Sequence, residues 1–419
     1  MRVGIVGAGV SGLVCAQRLL SLAGPALQLT VFEWGRGPGG RTARRRVTLD
    51  SGVELSFDHA APRFTANAGS DFDALLREWS QKGLAEKWVA AGDDVWVGTP
   101  SNHAICKGLA AEIEAAGASL HFGRHVRTAT YDAGSRAWTV RASCRATETD
   151  EEHTFDALVL SDKLLVLPNP YAVLAPADVG ALALPATLAS TGAVVLMLAL
   201  EHPPSDNATT PSPPALLSAT RGDALAPPLA LLAHDSAKPG RAPVVGAAME
   251  AAAQGGREEA GGALDLWVAH STSEYAAAHL RADDGAGPGL DDPAAVLAEM
   301  QAAALATLRA SSVAARSEAG GGAAAAADGD AAASEETTAA RFAPRVVHAS
   351  VFAWDHAQTT RGSRVAGATH SLDTARRAGV CGDFFAGATG LEGVEAAAVS
   401  GASIADALLP LLRDSRSTP

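Results

Sequence analysis

The 419-residue chain carries 33 Lys and Arg against 46 Asp and Glu, a formal net charge of −13, which gives no broad attraction to nucleic-acid phosphates or anionic lipid. At 419 residues it exceeds what one core usually organises, and two lobes are the expected arrangement. Its four cysteines, Cys15, Cys106, Cys144 and Cys381, lie far apart without CxxC spacing, which excludes a disulfide scaffold and a cysteine zinc site and fits a reducing compartment.

Only Met1 and Arg2 precede the first apolar strand, so no leader is read ahead of it. The expected location is cytoplasmic, or a plastid stroma if a transit peptide has been removed. The opening "MRVGIVGAGVSGLVCAQRLLS" is a short β-branched strand, then Gly7-x-Gly9-x-x-Gly12, then a helix entered at Val10 and Ser11. A second strand, "LQLTVFE", ends in Glu33 roughly 20 residues on. This register predicts a dinucleotide fold: Gly7 turns the chain, Gly9 admits a pyrophosphate, Gly12 packs helix on strand, and Glu33 accepts from a ribose. In "WGRGPGGRTARRR", a glycine turn at Gly39 and Gly40 is expected to bring the Arg41 guanidinium over the pyrophosphate. The run Arg44 to Arg46 is read as a solvated edge.

Farther along, "HFGRHV" reads as a strand, and His121 and His125 within it are not expected to bind metal because no cysteine or carboxylate partner lies near; no metal is expected in the chain. "VWVGTP", "GAVVLMLAL", "PLALLAHDS" and "LDLWVAHSTSEYAAAHL" have strand character, and "DPAAVLAEMQAAALATLRA" reads as a helix. The run from Gly192 to Leu200 is too short for a bilayer, so no membrane span is expected. Residues 203–262 are broken by prolines and predict a loop-rich region with one strand near Pro228 to Ser236, and 317–340, rich in small and acidic residues, predict a solvated insertion.

The chain closes with "CGDFFAGATGLEGVEAAAVSG". Gly382 permits close backbone approach, and Asp383 offers acceptors for hydroxyls such as those of a ribityl chain. Gly393, Ala397, Gly401 and Ala405 recur in steps of four, a bulk-free helix face expected to lie against a flat ring or a strand. The helix N-terminus near Leu391 to Val394, including Glu392 and Gly393, would turn its positive dipole end toward a cofactor ring.

These motifs, with "FDHAAPRFT", "HAICKGLAAEI" and "LLAHDSAKPGR", resemble the flavin amine oxidase superfamily and, within it, the renalase-like FAD-dependent oxidoreductases. The resemblance implies an α/β fold: a Rossmann-type, GR2-like FAD-binding domain of residues 1–62, 103–164 and 364–419, with a second α+β substrate domain of residues 63–102 and 165–363 carrying an antiparallel sheet. It implies FAD stretched between the two chain ends, with the backbone of Val126 at the adenine, and His59, Arg63 and His356 as catalytic candidates in the flavin neighbourhood. The chain departs from relatives at Ala60-Ala61-Pro62-Arg63, where Gly-Ala-Gln and an aromatic are usual, which puts substrate preference in question. The implied activity is hydride transfer from a small donor, a dihydronicotinamide such as an NAD(P)H form, to flavin, with oxygen as acceptor. With three tyrosines and 5% aromatics, an aromatic amine cage is poorly supplied. An amine oxidase or carotenoid-type desaturase of the same fold, and a degenerate non-catalytic flavin-binding module, stand as alternatives.

Overall fold

The computed structural model describes residues 1–201, 215–218, 221–245, 263–281, 289–320, 344–360 and 362–414. Its centre is a six-stranded sheet in the order Ser371–Asp373, Ala378–Val380, Ala157–Leu160, Arg2–Val6, Gln28–Glu33, Ser119–Phe122. All neighbours are parallel except the first pair. Val3, Ile5, Val31, Leu158 and Val159 are buried, as expected of strands covered on both faces. One face carries the helices Val10–Ala23, His103–Ala115 and Gly393–Asp414, with Leu13, Leu109 and Leu408 in one core; Phe72, Leu76 and Trp79 of the helix Phe72–Gln81 join it. The other face is covered by a three-stranded meander, Arg124–Asp132, Ala137–Cys144 and Asp150–Phe155, through Phe32, Trp138, Val140 and Phe155. This is a Rossmann-type dinucleotide-binding domain. The last helix is long and apolar enough to cross a membrane, but most of it is buried within the protein.

A second, antiparallel sheet runs Leu216–Ser218, Leu229–His234, Ala263–Ser271, Ser190–Glu201, Arg345–Thr359, with Val244–Val245 paired beside Ala263–Ser271. Its central strand explains the unbroken apolar run. Val194, Leu196, Leu198 and Leu200 face a core with Val296, Met300 and Leu308 of the helix Pro293–Gly320, whereas Val195, Met197 and Ala199 face Leu55 and Phe57 of the hairpin Arg45–Thr48 and Glu54–Phe57. Period-two alternation with both faces buried leaves no position for a polar residue.

Three details differ from the sequence reading. "LDLWVAHSTSEYAAAHL" is a strand only to Ser271; Thr272 then caps the helix Ser273–His279 by accepting from the Tyr275 amide, the N-cap chemistry that ends the strand. Among its described residues the loop-rich region holds three short strands, at Leu216–Ser218, Leu229–His234 and Val244–Val245. The expected insertion begins inside a helix that runs to Gly320, and 321–340 lie outside the described residues.

A buried quartet of charges joins the two lobes. Lys238 and Asp58 have side chains 0% and 1% exposed, and Lys238 Nζ donates to Asp58 at 3.1 Å and also to Asp235. Arg241 completes the cluster on Asp58, and the Asn102 amide donates to both Asp58 oxygens at 3.2 Å. Two cations and two carboxylates balance. Removing one partner strands a buried charge, so Lys238→Met should lower unfolding free energy by about 3–5 kcal/mol. Arg345→Ala, which removes a largely exposed guanidinium from its pair with Glu201, should cost under about 1 kcal/mol. Urea denaturation of both variants checks the contrast; equal effects would show that the quartet is not the joint.

Candidate functional site

The glycine loop sits at the carboxyl end of the strand Arg2–Val6, where an open α/β sheet leaves its crevice. Gly7 has φ 103°, and its amide donates to the Phe32 carbonyl at 2.8 Å. A Cβ on Gly12 would lie 2.1 Å from the Gly7 carbonyl oxygen, so helix and loop touch there. A Cβ on Gly9 would meet nothing within 4 Å. The helix behind it has no acidic residue in its first turn and no side-chain cap, so its amides and positive dipole end face that open space. The residues therefore fit a pyrophosphate, with Val10, Ser11 and Gly12 beneath it. Ser11 itself is buried and donates to the Ser161 carbonyl at 3.0 Å.

Glu33 is tied into this loop, accepting from Ala8 at 2.8 Å and Gly35 at 2.7 Å. Burial raises its pKa while the two amides pull the other way. Each oxygen keeps a lone pair for a ribose hydroxyl. Beside it Trp34, 47% exposed, stacks on His125 at 4.6 Å and tilts against Tyr171 at 5.4 Å. His125 precedes buried Val126 on the strand Arg124–Asp132. Neither Trp34 nor Tyr171 carries a local sequence signal for the role.

The second glycine turn reaches the first: the Gly39 amide donates to Ala8 at 2.9 Å, and a Cβ on Gly40 would lie 3.6 Å from Gly9 Cα. Arg41 then forks onto Asp383, with Nη1 to Oδ2 at 2.5 Å and Nη2 to Oδ1 at 2.8 Å, and reaches Asp162 at 3.2 Å. The expected anchors from opposite ends of the chain thus hold each other. For Asp383, burial opposes ionisation, but the charges of Arg41 and Lys163 outweigh it and hold the carboxyl below its usual range. For Arg41, burial opposes the charge, and Asp383 with Asp162 keeps it firmly cationic. Asp162 and Lys163 follow the strand Ala157–Leu160 and were not singled out from sequence; a polar pair closing an apolar strand at a parallel sheet's carboxyl edge is the signal that would have found them.

The closing helix starts at Gly393. Arg364 donates to the Leu391 carbonyl at 2.9 Å and lies 3.5 Å from the Glu392 carboxylate; Val394 is buried. The small-residue face has a different neighbour from the one expected: a Cβ on Gly401 would lie 2.2 Å from the Ser11 carbonyl oxygen. At Gly401 that face packs on the helix Val10–Ala23, because only a bulk-free stripe lets two helix backbones approach so closely.

Of the catalytic candidates, His59 is 6% exposed and lies against Phe352 and Trp354 at 5.3 and 5.6 Å. Its Nδ1 has no protein partner. His270 Nε2 is 2.7 Å from the His59 carbonyl oxygen. Arg63 is half-buried, with Nε unpaired; burial lowers its pKa, Asp94 and Glu392 oppose that, and Arg221 adds to it. His356, 31% exposed, lies 3.6 Å from Asp355, and no hydrogen bond or ring contact joins it to His59 or Arg63 among the described residues. His59 thus borders the antiparallel strand Arg345–Thr359, on which His356 follows Trp354 by two residues, and Arg63 lies within reach of the Glu392 charge at the start of the closing helix. Arg44, Arg45 and Arg46 are exposed, with Arg45 over the Phe352 ring at 4.7 Å.

Residues 5–79 match the family model of the NAD(P)-binding Rossmann-like domain. Across 97% of its length the chain aligns with the whole of an oxidoreductase from Methanosarcina mazei, at 13% identity and TM-score 0.51. It aligns over 98% of both chains with a provisionally assigned protoporphyrinogen oxidase from Exiguobacterium sp. 255-15, at 9% identity and TM-score 0.50. These are likenesses of fold. No curated protein matches in sequence.

Two predictions follow from this geometry. Gly9→Val should leave the melting temperature near that of the parent while weakening ADP binding at least about tenfold, whereas Gly12→Val should destabilise the fold by about 1–3 kcal/mol through overpacking; calorimetry with ADP and thermal melts separate the two. The second concerns acid. Burial, with the Arg45 charge adding to it, pushes His59 down to about 4, and burial does the same to His270. Between pH 6.5 and 4 the unfolded chain takes up protons that the folded one refuses. Stability is therefore present above pH 6.5 and lost as pH falls toward 4, by up to about 1.4 kcal/mol per pH unit for each histidine. Urea denaturation at pH 7 and pH 5 should show the loss, and His270→Gln should reduce it; identical pH dependence in the variant would remove His270 from the account.

Proposed function

We propose that the chain is an FAD-dependent oxidoreductase, renalase-like in taking hydride from a dihydronicotinamide, an NAD(P)H form, and in passing electrons to oxygen. The observation that carries this reading is the convergence at one crevice of the open space over Gly9, the Gly39-Gly40 turn and the Arg41–Asp383 pair. Flavin, when bound, would supply the hydride-accepting chemistry. The protein's part is to hold and orient. Glu33 would take ribose hydroxyls, and the amides at Val10 to Gly12 the pyrophosphate. Asp383, its charge fixed by Arg41, would accept from ribityl hydroxyls, and the helix N-terminus at Gly393 and Val394 would stabilise negative charge on the ring.

Charge on the approach supports a phosphate-bearing donor over an amine. Arg45 already occupies the face of Phe352, and Arg63 and Arg364 stand beside Glu392. A protonated amine would meet guanidinium groups where an amine oxidase needs a cage of free aromatic faces. His59 and His356 are the candidates to position the nicotinamide, with His59 acting as a neutral group. The shared fold with the oxidoreductase from Methanosarcina mazei is consistent with a redox role.

The test is an anaerobic donor screen on purified holoprotein. Dihydronicotinamides should bleach the flavin absorbance and benzylic or aliphatic amines should not; bleaching by amines alone would overturn the donor assignment, and bleaching by neither would leave only a binding module. Acid precipitation should release the flavin, showing it non-covalent. Asp383→Ala should lower flavin occupancy while keeping ADP affinity, since the Gly9 loop is untouched; full occupancy with an unshifted flavin spectrum would show that the chain ends do not share one cofactor.

A further inference from the structure

The outer edge of the dinucleotide domain carries a second cluster with its own chemistry. His121 lies on Ser119–Phe122, the last strand of the parallel sheet, in register with Phe32. Glu151 and His153 lie on Asp150–Phe155, the outer strand of the meander, two residues apart and so on one face. The fold brings them together: one ligand atom from each of the three lies within 4.8 Å of the others. His153 Nε2 is 3.4 Å from Glu151 Oε2, and the two imidazoles stand nearly perpendicular at 86° with centroids 5.5 Å apart.

We propose that His121, Glu151 and His153 form a zinc-type transition-metal site that staples the meander to the edge of the parallel sheet. Two nitrogens and one carboxylate oxygen are a zinc donor set, with a water completing the tetrahedron. Ligands at zinc distances from one ion stand about 3.3 Å apart, so the His153 to Glu151 spacing already suits a shared ion, and small side-chain rotations close the rest. The surroundings hold the ligands in place. Phe32 supports both imidazoles, with ring centroids at 5.4 Å to His121 and 5.0 Å to His153. Arg124 Nε donates to Glu151 Oε1 at 2.9 Å, which orients the carboxylate and leaves Oε2 on the histidine side, as outer partners of metal ligands do. Along the sequence His121 lacks nearby ligand partners, which argues against metal there. The partners come from a strand some thirty residues later, and His125, the neighbour considered for a pair, is stacked on Trp34 instead.

The test uses full-length protein without a polyhistidine tag, treated with EDTA, desalted and titrated with zinc chloride. One equivalent should bind and raise the melting temperature, because an ion that binds only the folded state stabilises it by mass action. His121→Ala and His153→Ala should each weaken zinc binding at least about tenfold and abolish the thermal shift, while ADP binding at the glycine loop stays intact as evidence of folding. If His121→Ala fails to fold, His153→Gln carries the same comparison. Zinc binding unchanged in these variants, or no binding by the parent protein, would overturn the site.

Discussion

The ion pair between Arg41 and Asp383 is the contact on which the rest of the site depends. It spans 342 positions of sequence, and each partner arrives through a backbone conformation that side chains disfavour: Gly40 at φ 52° ahead of Arg41 and Gly382 at φ 155° ahead of Asp383. The fork matches guanidinium to carboxylate in two parallel bonds, the geometry in which arginine is more than a point charge. Asp162 at the end of a third chain segment holds the other side of the guanidinium. Three excursions of the chain are thereby pinned over one crevice. Asp383, 8% exposed, would be an uncompensated buried charge without them.

The lobes meet through a similar device. The hairpin ending at Phe57 inserts its apolar face under the central antiparallel strand, and the next residue, Asp58, enters the quartet with Lys238, Asp235 and Arg241. Apolar burial supplies attraction without direction. Hydrogen-bonded charges admit few geometries, so the quartet is the part of the joint that sets register. His59 follows directly and inherits its place from both neighbours, with its carbonyl held by His270 of the antiparallel sheet.

How much of this was legible in the sequence depends on separation along the chain. The glycine loop, Glu33, the second glycine turn and the start of the closing helix were legible because each is a local pattern with a local mechanism. The central strand was legible from its length and composition. What joins these pieces was not. "SAKPGR" marks a motif but does not say that Lys238 is buried between two carboxylates. The step-of-four stripe announces a close approach, but not that Ser11 is what Gly401 approaches. Thr272 looked like strand because β-branched residues favour strands and also cap helices, and only the tertiary context selects one.

The protonation state of the buried histidines bears on which reduced donors this crevice suits. His59 and His270 are both held down to about 4, so neither takes a proton near neutral pH. The nearby Arg45, Arg63 and Arg364 are donors and do not act as bases. An amine reaches a site at pH 7 mostly as an ammonium ion and must lose a proton before its nitrogen lone pair can assist oxidation. A dihydronicotinamide delivers two electrons and one hydrogen together as hydride, with no base required. The Arg45 guanidinium on the Phe352 ring, with the neutral His59 against the same ring, opposes the first requirement and leaves the second untouched. On the proposed reading, this arrangement would favour the donor that needs least proton chemistry from the protein, because burial keeps His59 uncharged.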